Sequence, residues 1–179
     1  MHLPFRHIFF SLLIFLVFSE NIYSQKNSKQ YTVSGTITQT HSYCGGARPS
    51  DEMLARLNTP APYAGKKLYI RYGNQNSSKK KIIRIISADS AGHFKIQLPS
   101  GTYCIIQDEQ IKRLDIEHFK KQETEYLKLD ENCLKNWWSQ CFTTFEVKSE
   151  NKTNLNINFN FPCFTGGTPC MQYTGPLPP

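Results

Sequence analysis

Asp89-Ser90-Ala91-Gly92-His93-Phe94-Lys95-Ile96-Gln97-Leu98-Pro99-Ser100-Gly101-Thr102-Tyr103-Cys104-Ile105-Ile106 is the stretch whose reading decides the fold of this chain. Phe94, Ile96 and Leu98 alternate with Lys95 and Gln97, the period of two that marks a strand with one buried face. After Pro99, Ser100-Gly101 suits a two-residue turn, because glycine takes a positive φ at little steric cost. In that register Leu98 stands opposite Tyr103 and Ile96 opposite Ile105, so four apolar side chains share one face. A three-residue loop sets Leu98 opposite Thr102 and Ile96 opposite Cys104. A one-residue slip turns a whole strand over, and core burial favours the first pairing. Cys104 and Ile106 then point to the opposite face, where something else must cover them.

Working outward, further short strands are expected at Tyr31–Thr38, Lys67–Tyr72, Lys80–Ser87, Thr143–Lys148 and Leu155–Phe161, the last an unusually regular alternation. Ser50 is placed to cap one short helix, ended by Pro60 and Pro62. Asp108 to Asp130 is highly charged and only loosely periodic. From Asp130, a second capping residue, the pattern turns helical, with Leu134, Trp137 and Cys141 on one stripe. Seven strands separated by turn signals predict an all-β antiparallel sandwich with a helical insertion at about 110–141, packed across one sheet and placed to cover Cys104 and Ile106.

The first two dozen of the 179 residues stand apart. Arg6 precedes an apolar run from Ile8 to Phe18 that is shorter than the roughly 20 residues of a membrane-crossing helix. Small Ser24 just before Gln25 completes the layout of a secretory signal peptide. The expected organisation is therefore a signal peptide at 1–24, a flexible leader at 25–30, the sandwich at 31–162 and a Cys-, Pro- and Gly-rich tail at 163–179 packed on it. No membrane span is expected in the mature chain, which is secreted or periplasmic; the sequence leaves its oligomeric state open.

Six cysteines, Cys44, Cys104, Cys133, Cys141, Cys163 and Cys170, all follow the signal region. An even count in an exported chain points to disulfides, and six permit 15 connectivities. An unbroken helix holds Cys133 and Cys141 about 12 Å apart, beyond disulfide reach, so either the helix breaks near Ser139 or each finds a distant partner; distant partners are favoured, Cys104 being one candidate. Cys163 and Cys170 are spaced to close a small loop. His41 near Cys44 invites a thiol-enzyme, redox or metal-binding reading, but a reactive cysteine needs a base within reach and a lowered pKa, and sequence proximity supplies neither. No cofactor or metal site is expected.

The net charge of +7 persists after removal of one Arg and one Glu with the signal peptide. Lys66, Lys67, Arg71, Lys79, Lys80, Lys81 and Arg84 form a basic strip, read chiefly as a solvated sheet face that discourages edge pairing. Lys79, Lys80, Lys81 and Arg84 are its candidate contacts for an anionic partner; export argues against nucleic acid. Of the Trp137-Trp138 pair, Trp137 is expected to pack inward and Trp138 to be free for contact.

Asp89, Gly92, Phe94, Leu98, Pro99, Gly101 and Tyr103 together resemble the hallmark of the carboxypeptidase regulatory-like domains: a strand ending in D-x-x-G-x-F, then L-P-x-G-x-Y. The resemblance runs from Tyr31 to Ile106, with Leu155 to Phe161 supplying a last strand. It implies a transthyretin-like (prealbumin-like) sandwich and a non-catalytic module of the bacterial envelope, with an unknown protein or glycan as its partner. The Cys44-Gly45-Gly46-Ala47 loop, the 110–141 insertion and the tail depart from the simplest version of that pattern.

Overall fold

The computed structural model describes residues 28–165 and 167–176; the expected signal peptide lies outside them. Two sheets face each other. One is built around the long strand β1 (Gln30–His41), whose first half pairs antiparallel with β5 (His93–Pro99). Its second half takes the short β2 (Ala61–Pro62) on the same side and β9 (Ile157–Phe161) on the other. β9 runs parallel to β1; every other pairing is antiparallel. The second sheet has the order β4 (Arg84–Ser87), β3 (Lys67–Tyr72), β6 (Gly101–Ile106), β8 (Thr143–Val147). Val33, Ile37, Leu68, Ile70, Leu98, Tyr103, Ile105 and Phe145 fill the space between them. The chain is a β-sandwich.

The deciding stretch is a corner rather than a hairpin. β5 belongs to the first sheet and β6 to the second, so the expected register of Leu98 with Tyr103 and Ile96 with Ile105 does not form. Tyr103 folds back and donates its hydroxyl to the Pro99 carbonyl at 2.6 Å, pinning the change of sheet. Alternation within each strand nevertheless puts Leu98, Tyr103 and Ile105 in the core, with Ile96 packed against it. Ahead of the corner, Asp89 accepts from the N–H groups of Ala91 and His93, and Gly92 turns the chain at φ +79°. A Cβ on Gly92 would lie 2.6 Å from the Ile37 carbonyl oxygen, so the sharp turn and the close approach both require glycine.

Cys104 and Ile106 face outward from the second sheet and are fully buried. Their cover is the segment between β6 and β8: a 3-10 turn (Asp108–Gln110), then α2 (Ile116–Lys120), β7 (Leu127–Leu129) and α3 (Glu131–Ser139). α1 is the short exposed helix Asp51–Asn58, capped by Ser50 as its sequence implies. Asp130 caps α3 by accepting from the Cys133 N–H at 2.9 Å. Phe119 and Leu134 are buried in this layer, and Lys120 joins α2 to α3 through Glu131 at 2.8 Å. The tail adds β10 (Met171–Tyr173), paired with β7.

Three disulfides join these parts: Cys44–Cys163, Cys104–Cys141 and Cys133–Cys170. Cys133 and Cys141 have distant partners, and Cys104 is one of them, although α3 ends at Ser139 and does not reach Cys141. The small Cys163–Cys170 loop does not form. Cys163 meets the loop that follows β1, and Cys170 meets the first turn of α3, because the tail crosses from one to the other.

Candidate functional site

The polar groups that hold the insertion are buried with it. Arg71, on β3, shares the outward face with Cys104 and is 2% exposed. It therefore leaves the basic strip: its guanidinium donates to the Asn76 side chain, the Ser77 carbonyl and the Ile111 carbonyl, and burial lowers its pKa. Asn76 in turn donates to the carbonyls of Gln110 (3.1 Å) and Trp138 (2.7 Å). Gln110 donates to those of Trp137 (2.8 Å) and Gln140 (2.9 Å). Buried amides without such partners would cost a few kcal/mol each, so the fully engaged side chains of Asn76 and Gln110 fix the insertion in one position, while the buried Nε of Arg71 has no partner among the described residues.

Fixed in this way, α3 stands across an open cleft of about 910 Å³ from β9. Phe159 and Phe161 of β9 form one wall with Tyr63 and Phe142; the Phe142 and Phe159 rings stack 4.7 Å apart, and Tyr63 meets Phe159 edge-on. Lys66 lies over the Phe159 ring at 4.9 Å, a cation–π contact that keeps its stem along the wall. Trp137, Asn136 and Gln140 supply the opposite wall, with Gln107 and Glu109 at the foot of the insertion. The tail closes one end where Gly167 lies so near the Phe161 ring that a Cβ would be 2.9 Å from it. The volume is that of a small-ligand site, and the lining mixes aromatic faces with amides able both to donate and to accept.

The structure does not gather the sequence-derived candidates at this cleft. Trp138 is half-buried and donates its indole N–H to the Lys112 carbonyl, whereas Trp137 lines the cleft and meets Phe119 edge-on. Lys79, Lys80, Lys81 and Arg84 are exposed on the β3–β4 connection and the start of β4, and none is in an ion pair among the described residues. Of the cysteines, Cys133 and Cys170 touch the cleft, as a disulfide. Cys44 is bonded to Cys163 and His41 stacks on Phe161 at 5.0 Å, so the thiol reading lacks its thiol. The side-chain amides come from Gln107, Asn136 and Gln140, whereas Asn158 and Asn160 line the cleft while their side chains bond to Thr38 and Thr40 on the outer face of the sheet. Only the Asn158–Asn160 repeat was visible in advance, as the polar half of an alternating strand.

Three disulfides, with no free cysteine among the described residues, belong to a chain that folds outside the reducing cytosol. Among those residues no helix is long and apolar enough to cross a membrane. No protein-family profile matches the chain, and no curated protein does. Among solved structures, the crystal structure of the major pilin subunit of Bacillus cereus is similar over 75% of this chain and 28% of that one, at 12% identity and a TM-score of 0.32. The chain thus spans less than a third of that protein, and a likeness of this size adds nothing to the fold read from the strands.

Proposed function

We propose that the protein is an exported, non-catalytic module of the bacterial cell envelope, of the carboxypeptidase regulatory-like kind that its Asp89–Tyr103 signature resembles, and that it holds a protein or glycan partner in the cleft between β9 and α3. Export rests on the leader pattern of residues 1–24, with cleavage after Ser24. The observation that carries the reading is the cleft itself: a preformed site with an aromatic wall, an amide wall and no activated nucleophile. Its charged side chains are one lysine and one glutamate. Such a site positions and holds, and the two cysteines that touch it are joined as a disulfide, so neither offers a thiol nucleophile. The exposed Lys79–Lys81 and Arg84 group forms a flank away from the cleft and steers approach rather than setting affinity.

Titration of the nitrogen-labelled mature chain with neutral oligosaccharides, anionic oligosaccharides and short peptides tests this reading. Amide shifts are expected to gather at Gln140, Asn158 and Asn160 and at the indole of Trp137, and Trp137→Ala is expected to weaken binding about tenfold or more. Shifts confined to Lys79–Arg84 would place the contact on the basic flank instead.

A further inference from the structure

β9 joins its sheet by one side only. The N–H and C=O groups of Ile157, Phe159 and Phe161 are turned toward β1, as the bond from the Ser42 N–H to the Phe161 carbonyl shows. Alternation turns the main chain of Asn158 and Asn160 the other way, along the cleft, where those two N–H and two C=O groups have no protein partner among the described residues. Their side chains are already engaged on the outer face of the sheet. Asn158 accepts from Thr38 at 2.9 Å and donates to Thr40 at 3.0 Å, and Asn160 accepts from Thr40 at 3.4 Å. The main chain is what β9 has left to offer.

Edge strands of this kind are usually blunted by lysine, proline or a bulge. β4, an edge of the other sheet, follows that rule: it opens with Arg84, just after Lys79–Lys81. β9, Ile-Asn-Phe-Asn-Phe, has no lysine or proline within its five residues; Pro162 ends it and removes the next outward N–H, leaving Asn158 and Asn160 as the open positions. α3 stands across the cleft from it, and the cleft's volume of about 910 Å³ suits a short segment. The charges of Lys66 and Glu109 offset one another, so a polyanion gains nothing there, while an uncharged main chain matches the free donors and acceptors in order.

We infer that β9 is a docking edge at which an extended segment of a partner polypeptide adds as a further strand, its main chain bonded to Asn158 and Asn160. This rests on the cleft being the binding site and goes further by making the occupant a polypeptide. Alternate side chains of the added strand face inward toward Phe161 and Trp137, so apolar or β-branched residues are favoured at every second position.

A displayed library of random heptapeptides, selected on the immobilised mature chain, supplies the probe, and the selected peptides are then measured against variants. Asn158→Pro removes the outward N–H and blocks an incoming strand while sparing the bonds to β1, since proline is tolerated at edge positions whose N–H faces away from the sheet. Asn158→Ala keeps the main chain. The inference expects at least a tenfold loss of peptide affinity in Asn158→Pro, less than about a threefold change in Asn158→Ala, and slowed amide exchange at Asn158 and Asn160 when peptide binds the wild-type chain. That last measurement stands even if the proline variant does not fold. Peptides that bind without protecting those amides would overturn strand addition; if Trp137→Ala still abolishes their binding, the cleft reading survives alone. Neutral oligosaccharides binding where no peptide is selected would overturn the polypeptide occupant. Binding of either probe that ignores Trp137→Ala and both Asn158 variants would overturn the cleft reading as well.

Discussion

Arg71 and Asn76 meet beneath the insertion: the guanidinium of one donates to the side-chain carbonyl of the other, both are buried, and no carboxylate among the described residues pairs with the cation. The positive charge is held by amide and carbonyl oxygens alone. Asn76 passes the attachment on to the carbonyls of Gln110 and Trp138, so these two residues of the second sheet set where α3 stands. Asn76→Ala strips three bonds from buried groups and is expected to cost about 3 kcal/mol. Urea unfolding measures that loss, and limited proteolysis is expected to cut the 112–126 segment sooner than in the wild type.

Cys104–Cys141 closes a loop with a sequence separation of 37 and ties the face of β6 to the end of α3. Replacing both by alanine is expected to lower stability by about 3–4 kcal/mol through the entropy returned to the unfolded chain. The sandwich core does not use this bridge, so far-ultraviolet circular dichroism of the folded variant should match the wild type while its urea midpoint falls.

Burial, reinforced by the neighbouring Tyr72 hydroxyl, pushes the Tyr103 phenol well above the ordinary tyrosine range. The folded state therefore holds this proton more tightly than the unfolded state. The associated stability is complete below about pH 10 and is lost as pH rises further. Tyr69, beside the Asp108 carboxylate, is shifted the same way. A urea-midpoint series from neutral pH upward should be flat with respect to these groups and then fall above about pH 10. Tyr103→Phe should make the alkaline fall shallower, at the cost of the Pro99 bond at all pH values.

Gly92→Ala tests the turn ahead of the corner. The new Cβ would meet the Ile37 carbonyl at 2.6 Å in a left-handed conformation. A loss of 2 kcal/mol or more is expected, about half of it from the backbone conformation alone. Ala91→Gly, one residue earlier, should cost well under that.

The corner shows what the sequence makes legible. Alternation at Phe94–Leu98 and Tyr103–Ile106 correctly divides inward from outward residues, because each strand has one buried face whatever its neighbours are. It cannot say which strand lies alongside, so two strands joined by a tight turn read as a hairpin although they enter different sheets. The same reasoning made Cys104 outward-facing and in need of cover, which the insertion provides. The partners of Cys44 and Cys170 were out of reach, since they follow from how the tail crosses the molecule. The cleft was hidden for a related reason: Lys66, Gln107, Trp137 and Asn158 lie on four separate segments, and none is unusual where it stands. Burial of Arg71 was equally unreadable, because a strand arginine beside lysines has the signature of a solvated face until something packs over it.

Amide exchange in the unliganded mature chain, read residue by residue along β9, tests most directly the claim that the cleft opens onto a free strand edge. Phe159 and Phe161, whose N–H groups bond to β1, should exchange slowly, and Asn158 and Asn160, which alternate with them, should exchange rapidly, giving a fast–slow alternation over four consecutive residues. Protection at all four positions would mean that the edge is already covered, and would contradict the account.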